Sequence, residues 1–158
     1  MTRQRLMDNV YLTCIPSEKF KTGFFSAQMV APLERETAGR SALLVNTLSR
    51  GTVRCPDLTA ISRELDMLYG ARLEPTVRKR GENQLFGFVA SGVEDRFLPG
   101  NAKLLEKLVD LLGEFYCDPV TRGGRLLEEY VESERKNLVD MIRSDINDKR
   151  GYASRRLL

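Results

Sequence analysis

There is no histidine anywhere in the 158 residues. A serine or cysteine hydrolase commonly needs an imidazole base, so the usual nucleophilic sets are absent. A Ser-Lys pair needs no histidine, but nothing in the sequence marks one out. The three cysteines, Cys14, Cys55 and Cys117, are odd in number and widely spaced. That is no disulfide framework. Without a CxxC pair or an imidazole they make no zinc site either. Packing as small apolar side chains in a reducing compartment is their expected role.

Charge offers little more. The formal net charge is +3, from 25 basic and 22 acidic residues. Nucleic-acid binders concentrate such an excess on one face. The sharpest clusters here are Arg78-Lys79-Arg80 and Arg155-Arg156. A solvated hairpin tip and a helix end account for them, so no nucleic-acid partner is expected. Strongly salt-dependent binding would be its mark. No apolar run approaches the ~20 residues of a membrane span. The polar stretch from Met1 to Asp8 lacks the apolar core of a signal peptide. No membrane partner and a cytoplasmic location are therefore expected. At 42% hydrophobic and 30% charged, the composition is that of a globular domain.

The elements that would position any site follow from periodicity. Asn9 to Cys14 alternates as a strand, and Gly23 to Pro32 reads as a second. A short connector makes them an expected antiparallel hairpin. Phe25, Ala27, Met29 and Ala31 share one face of the second strand. A helix follows, with Thr37 as expected N-cap and Gly51 as a left-handed stop after Arg50. Asp57 caps a second helix, with Leu58, Ile61, Leu65 and Leu68 at helical spacing, and Gly70 ends it. A hairpin is expected next, from Arg72 to Lys79 and from Asn83 to Val93. Phe86, Phe88 and Ala90 share a face, and Pro75 marks an edge strand or a bulge. A helix from about Leu98 to Tyr116 carries Leu104, Leu105, Leu108, Leu111, Leu112 and Phe115. Asp118-Pro119 stops it. A final helix from beyond Gly124 toward Asp148 has Leu127, Tyr130, Leu138, Met141 and Ile142 as its stripe. Two hairpins alternating with two helix pairs imply an α+β fold: one mainly antiparallel sheet with helices packed on it.

This order, with certain local words, resembles the pitrilysin/insulinase family of zinc peptidases, which includes the mitochondrial processing peptidases. In that family a strand hairpin leads to a helix carrying HxxEH, followed after four intervening residues by Gly-Thr. The same frame here holds Gly39 and Arg50-Gly51-Thr52. Counted back from Gly51-Thr52, the first histidine falls on Ala42, the glutamate on Val45 and the second histidine on Asn46. Pro56 to Ala71 matches the family's second helix and its Gly-rich exit. Glu134 to Ile142 matches its long helix, which carries the third metal ligand, here Met141. An accessory glutamate two turns earlier survives as Glu134. The gap to this last helix is longer than in active enzymes. Histidine-less members found in Firmicutes, thought to act beside a complete zinc-peptidase partner, are nearest in character. The resemblance implies a metallopeptidase-like (LuxS/processing-peptidase-like) fold. It also implies that residues 1–158 are one domain, an incomplete N-terminal peptidase-like domain of a longer chain.

The inverted motif works because residues four apart on a helix face the same way, so two imidazoles grip one zinc. The glutamate then acts as base on the zinc-bound water. Alanine and valine offer no donor atom, asparagine only a neutral amide, and Glu134 alone holds no metal. No catalytic residue, metal or cofactor is expected. In the plain packing reading Ala42, Val45 and Asn46 are simply helix positions packed against the sheet, Leu43, Leu44 and Leu48 form most of the first helix's core contact, and Met141 is core. Glu134 interrupts its stripe as a side chain reaching solvent, or else as a relic polar site paired with Arg or Lys.

The leading functional expectation is a noncatalytic partner. It would bind an extended peptide or support an active peptidase, with a catalytic homologue, the rest of its own chain or a homodimer as partner. The alternative is a peptidase or hydrolase whose metal site is completed by another chain, or whose site is unrecognised.

Overall fold

The computed structural model describes residues 1–100 and 103–157. Asn101 and Ala102, crossed by the expected third helix, lie outside the described residues. So do Leu158 and the side chains of Arg155 and Arg156. The elements in order are β1 (Thr2–Met7), β2 (Val10–Cys14), β3 (Thr22–Pro32), α1 (Arg35–Leu48), α2 (Leu58–Met67), β4 (Arg72–Arg80), β5 (Asn83–Val93), α3 (Leu104–Cys117), β6 (Thr121–Arg122), β7 (Arg125–Leu126), α4 (Glu128–Ser144) and α5 (Lys149–Leu157). The fold is α+β, with antiparallel sheets and helices packed on the central one.

The central sheet has three strands in the order β3-β5-β4. β5 is the middle strand, and its even positions face the helices. Phe88 and Ala90 are almost fully buried there, beside Phe86. The expected β4–β5 hairpin forms, turning at Gly81-Glu82, with Arg80 opposite Asn83. Pro75 does lie on an edge strand, where a missing N–H costs least.

α3 supplies the largest apolar stripe: Leu104, Leu108, Leu111, Leu112 and Phe115 are all buried. Phe115 stacks against Phe88 with ring centroids 4.9 Å apart. The Tyr116 hydroxyl donates to the Ala27 carbonyl at 2.6 Å, which ties α3 to β3. It fits only because residue 87 is glycine: a Cβ there would lie 2.5 Å from that hydroxyl.

Several expectations are corrected. The Asn9–Cys14 strand does not pair with β3. It closes on β1 through a tight turn with Asn9 at φ 61°. A two-residue turn has less chain to order than the connector from 15 to 21, and β3 finds an equally long partner in β5. Three separate sheets therefore replace the single one expected.

α1 starts two residues before Thr37, which sits inside the first turn. The cap position, Glu34, makes no side-chain cap bond. Gly51 is not left-handed. It is needed because a Cβ there would lie 2.5 Å from the Pro56 carbonyl oxygen.

α3 begins at Leu104 rather than Leu98. Pro99 interrupts the earlier stretch, and the Asp95 carboxylate accepts from the Leu104 amide at 2.7 Å. The last helix breaks at Asp145 and resumes as α5. Of the cysteines only Cys55 is buried; Cys14 and Cys117 are exposed. Asp57 caps α2 as expected, accepting from the Ala60 amide at 2.8 Å.

Candidate functional site

The region that would house a metal centre lies where α1 packs against α4. α1 presents Ala42 and Asn46 half-buried, while Val45 is completely buried. Leu44, expected in the core, is 38% exposed instead. The inward face of α1 runs through Val45 and Leu48, because the helix is rotated so that position 45 points at the sheet. Among the described residues the Asn46 amide forms no hydrogen bond. Met141, also expected in the core, is 59% exposed, and no residue of α4 is buried. The stripe on α4 that was expected to pack is therefore largely open.

Glu134 departs from the expected solvent-reaching side chain. Its side chain is only 12% exposed and pairs with Arg50 at 3.2 Å. Asn137 donates to the same carboxylate oxygen at 3.3 Å. The Arg50 guanidinium also lies over the Tyr130 ring, 5.1 Å from its centroid. The Tyr130 hydroxyl donates to the Pro56 carbonyl at 3.0 Å. Arg50 Nε is buried without a partner. One cation, placed two residues past the end of α1, thus holds the carboxylate and the aromatic ring of α4 together.

The loop after Arg50 is equally tied down. Thr52 is fully buried, and its hydroxyl donates to Glu114 at 3.0 Å and accepts from the Cys55 amide. Arg54 bridges Glu64 on α2 and Glu114 on α3, each at 2.8 Å. These hydrogen bonds to two carboxylates hold the Arg54 guanidinium well above its ordinary pKa, so it stays charged. Burial pushes the Cys55 thiol up, which keeps it neutral and unreactive. The cluster ties α2 and α3 to the loop that follows α1.

The zinc that the family resemblance implies does not fit these residues. Ala42 and Val45 have no ligand atom, and Val45 is sealed in the core. Met141 offers only a thioether, and Glu134 is engaged by Arg50. Among the described residues no three His, Cys, Asp or Glu side chains converge as metal ligands.

Comparison with known proteins agrees with that chemistry. The chain is 32% identical over 144 residues to the Bacillus subtilis (strain 168) protein named "Probable inactive metalloprotease YmfF". It resembles a metalloprotease named as inactive. The match takes in 91% of this chain and 34% of that protein. A solved structure, "Crystal structure of a conserved protein from Enterococcus faecalis V583", superposes with a TM-score of 0.88 at 29% identity. It covers 97% of this chain and 36% of that one. The 158 residues thus span about a third of the length of each relative. No protein-family model matches the chain.

Among the described residues neither β3 nor β4 pairs on its outer edge, and the two edges differ. β3 contains no charged residue over its 11 positions. β4 carries Arg72, Glu74, Arg78, Lys79 and Arg80, with Pro75 among them. Pairing of Glu134 with an Arg or Lys was one of the two expected readings, and Arg78-Lys79-Arg80 was placed at a hairpin tip; that the partner is Arg50 and that the cations lie on a sheet edge was not foreseen. A glutamate breaking an apolar stripe and a run of three cations at a hairpin tip were the available signals. No helix among the described residues is long and apolar enough to cross a membrane.

Proposed function

We propose that this chain is a noncatalytic homologue of the pitrilysin/insulinase zinc peptidases, a peptide-binding or structural partner of an active peptidase. The observation that carries the reading is Val45: where the family needs its general base, the side chain is apolar and completely buried. Half-buried Ala42 has no ligand atom and half-buried Asn46 offers only a neutral amide, and the chain is alike over 91% of its length to a protein named a probable inactive metalloprotease.

In this reading residues 1–158 form one peptidase-like domain, the N-terminal part of a longer arrangement, working in the cytoplasm. Its partner is a catalytic homologue or further polypeptide of its own, with a homodimer forming where neither is present. The exposed Val139, Met141 and Ile142 on α4 favour such coverage, since contiguous apolar surface seeks a partner. The free edge of β4 accepts an extended peptide as an added strand, using main-chain hydrogen bonds that demand little of sequence.

Hydrogen exchange tests the peptide-binding role. With a saturating extended peptide, β4 amides should slow while those of the α3 core stay unchanged. Unaltered exchange along β4 at peptide concentrations that saturate active peptidases would refute it.

A further inference from the structure

We infer that the peptide taken by the β4 edge is acidic. This rests on the edge-binding reading above and adds the chemical class of the ligand. β4 reads RLEPTVRKR, four cations against one anion, for a net charge of +3 that equals the +3 of the whole chain. The α5 segment, KRGYASRRL, carries a comparable four cations, so β4 is one of two basic segments and the one that lies on a sheet edge.

None of these cations is spent internally. Arg72, Arg78, Lys79 and Arg80 are exposed and form no ion pair among the described residues. The whole β4–β5 hairpin carries only two carboxylates, Glu74 and Glu82. Opposite the cationic end, β5 offers Asn83, Gln84 and Leu85, which are uncharged.

Position along the strand sharpens the match. Pro75 has no N–H, so a guest strand finds an uninterrupted ladder only from Thr76 to Arg80, where three of the cations lie. Arg78 and Arg80 share a face, roughly 7 Å apart at the strand repeat. A guest strand has the same repeat, so carboxylates at alternate positions would stand directly across from both guanidiniums. Lys79 points to the other face and meets the intervening residue. Charged residues, lysine especially, and Pro on an edge also deter aggregation, a role that asks for no particular spacing of the charges. The single sign, at the one stretch able to pair, selects an anion-rich strand.

The test is fluorescence anisotropy on the full chain with labelled nine-residue peptides of alternating Thr and Val. One version carries Glu at alternate positions, a second Gln and a third Lys. The Glu peptide should bind about tenfold tighter than the Gln peptide at low salt, and the gap should close as salt rises. The double variant Arg78→Glu/Arg80→Glu should reverse the order in favour of the Lys peptide. Arg78→Gln/Arg80→Gln should abolish the difference, and both variants alter only exposed side chains. Equal binding of all three peptides would overturn the acidic preference and leave the edge reading standing. If none binds, the edge reading itself fails and takes this inference with it. A single-stranded oligonucleotide binding tighter than the Glu peptide, without slowing β4 amide exchange, would assign the patch to nucleic acid and also overturn the proposal.

Discussion

Arg50 and Glu134, separated by 84 residues, form a part-buried ion pair that joins the end of α1 to α4. In a zinc peptidase of the resembled family these two helices are joined through a metal. Here an organic cation joins them, with Tyr130 stacked beneath it. Removing one partner should hurt more than removing both, because the survivor is left poorly solvated. Glu134→Ala is expected to cost about 2 kcal/mol in urea unfolding. The double variant Arg50→Met/Glu134→Leu should cost less than that single change. Equal, additive losses would mean that the pair is a surface contact of little consequence.

The facing of α1 gives a second expectation. Val45 is fully buried and Leu44 is 38% exposed. Val45→Ala should therefore cost about 2 kcal/mol, and Leu44→Ala about 1 kcal/mol or less, although leucine loses the larger group. Chemical denaturation of both variants checks the rotation of the helix, and the reverse order would contradict it.

Two glycines should respond in opposite directions. Gly51→Ala forces a Cβ against the Pro56 carbonyl, at 2.5 Å, and should destabilise strongly. Gly39, inside α1, has nothing within 4 Å of a built Cβ. Gly39→Ala should stabilise by about 0.5–1 kcal/mol, by helix propensity alone. Thermal melts of the pair would show whether the Gly51 loop is as tightly packed as described.

The buried Cys55 thiol and the half-buried Tyr116 phenol set an alkaline limit. Burial pushes Cys55 above the ordinary 9.0 and Tyr116 above the ordinary 10.0. Above those ordinary values the unfolded chain gives up protons that the folded chain keeps. Stability is therefore expected to fall as pH rises from about 9 until the folded groups ionise as well. In the native protein at pH 8, Cys14 and Cys117 should react rapidly with a thiol reagent and Cys55 slowly. A slow phase that disappears in denaturant, together with a stability curve declining above pH 9, checks both halves.

Much of the fold was legible, for identifiable reasons. Phe86, Phe88 and Ala90 alternate on a strand with a clear turn before it, and the α3 leucines repeat at helical spacing, so burial follows pattern there. The β1–β2 hairpin was misread because every one of its residues is exposed, so no buried face fixes its register. On α1 the reading that packs Val45 against the sheet holds, as does the one that puts Leu48 in the core, but Leu44 was misplaced: one residue from Val45 it lies about 100° round the helix and turns outward. The Gly51-Thr52 frame picks out Ala42, Val45 and Asn46 as the positions that match the resembled family's metal site. Arg50 as the partner of Glu134 was not legible, because the two meet only through the packing of α1 on α4. Met141 could be placed on a stripe, but nothing in a sequence says whether a stripe is covered by its own chain.

The central claim is that Ala42, Val45, Asn46 and Met141, the positions matched to the resembled family's zinc site, hold no metal, and elemental analysis of zinc tests it most directly. Purified protein, saturated with zinc and then dialysed without chelator, is expected to retain far less than one zinc per chain. The Ala42→His/Asn46→His/Met141→Glu variant, which restores three ligand atoms, serves as the comparison. Stoichiometric zinc in the unaltered chain, held at the affinity of a structural site, would contradict the account.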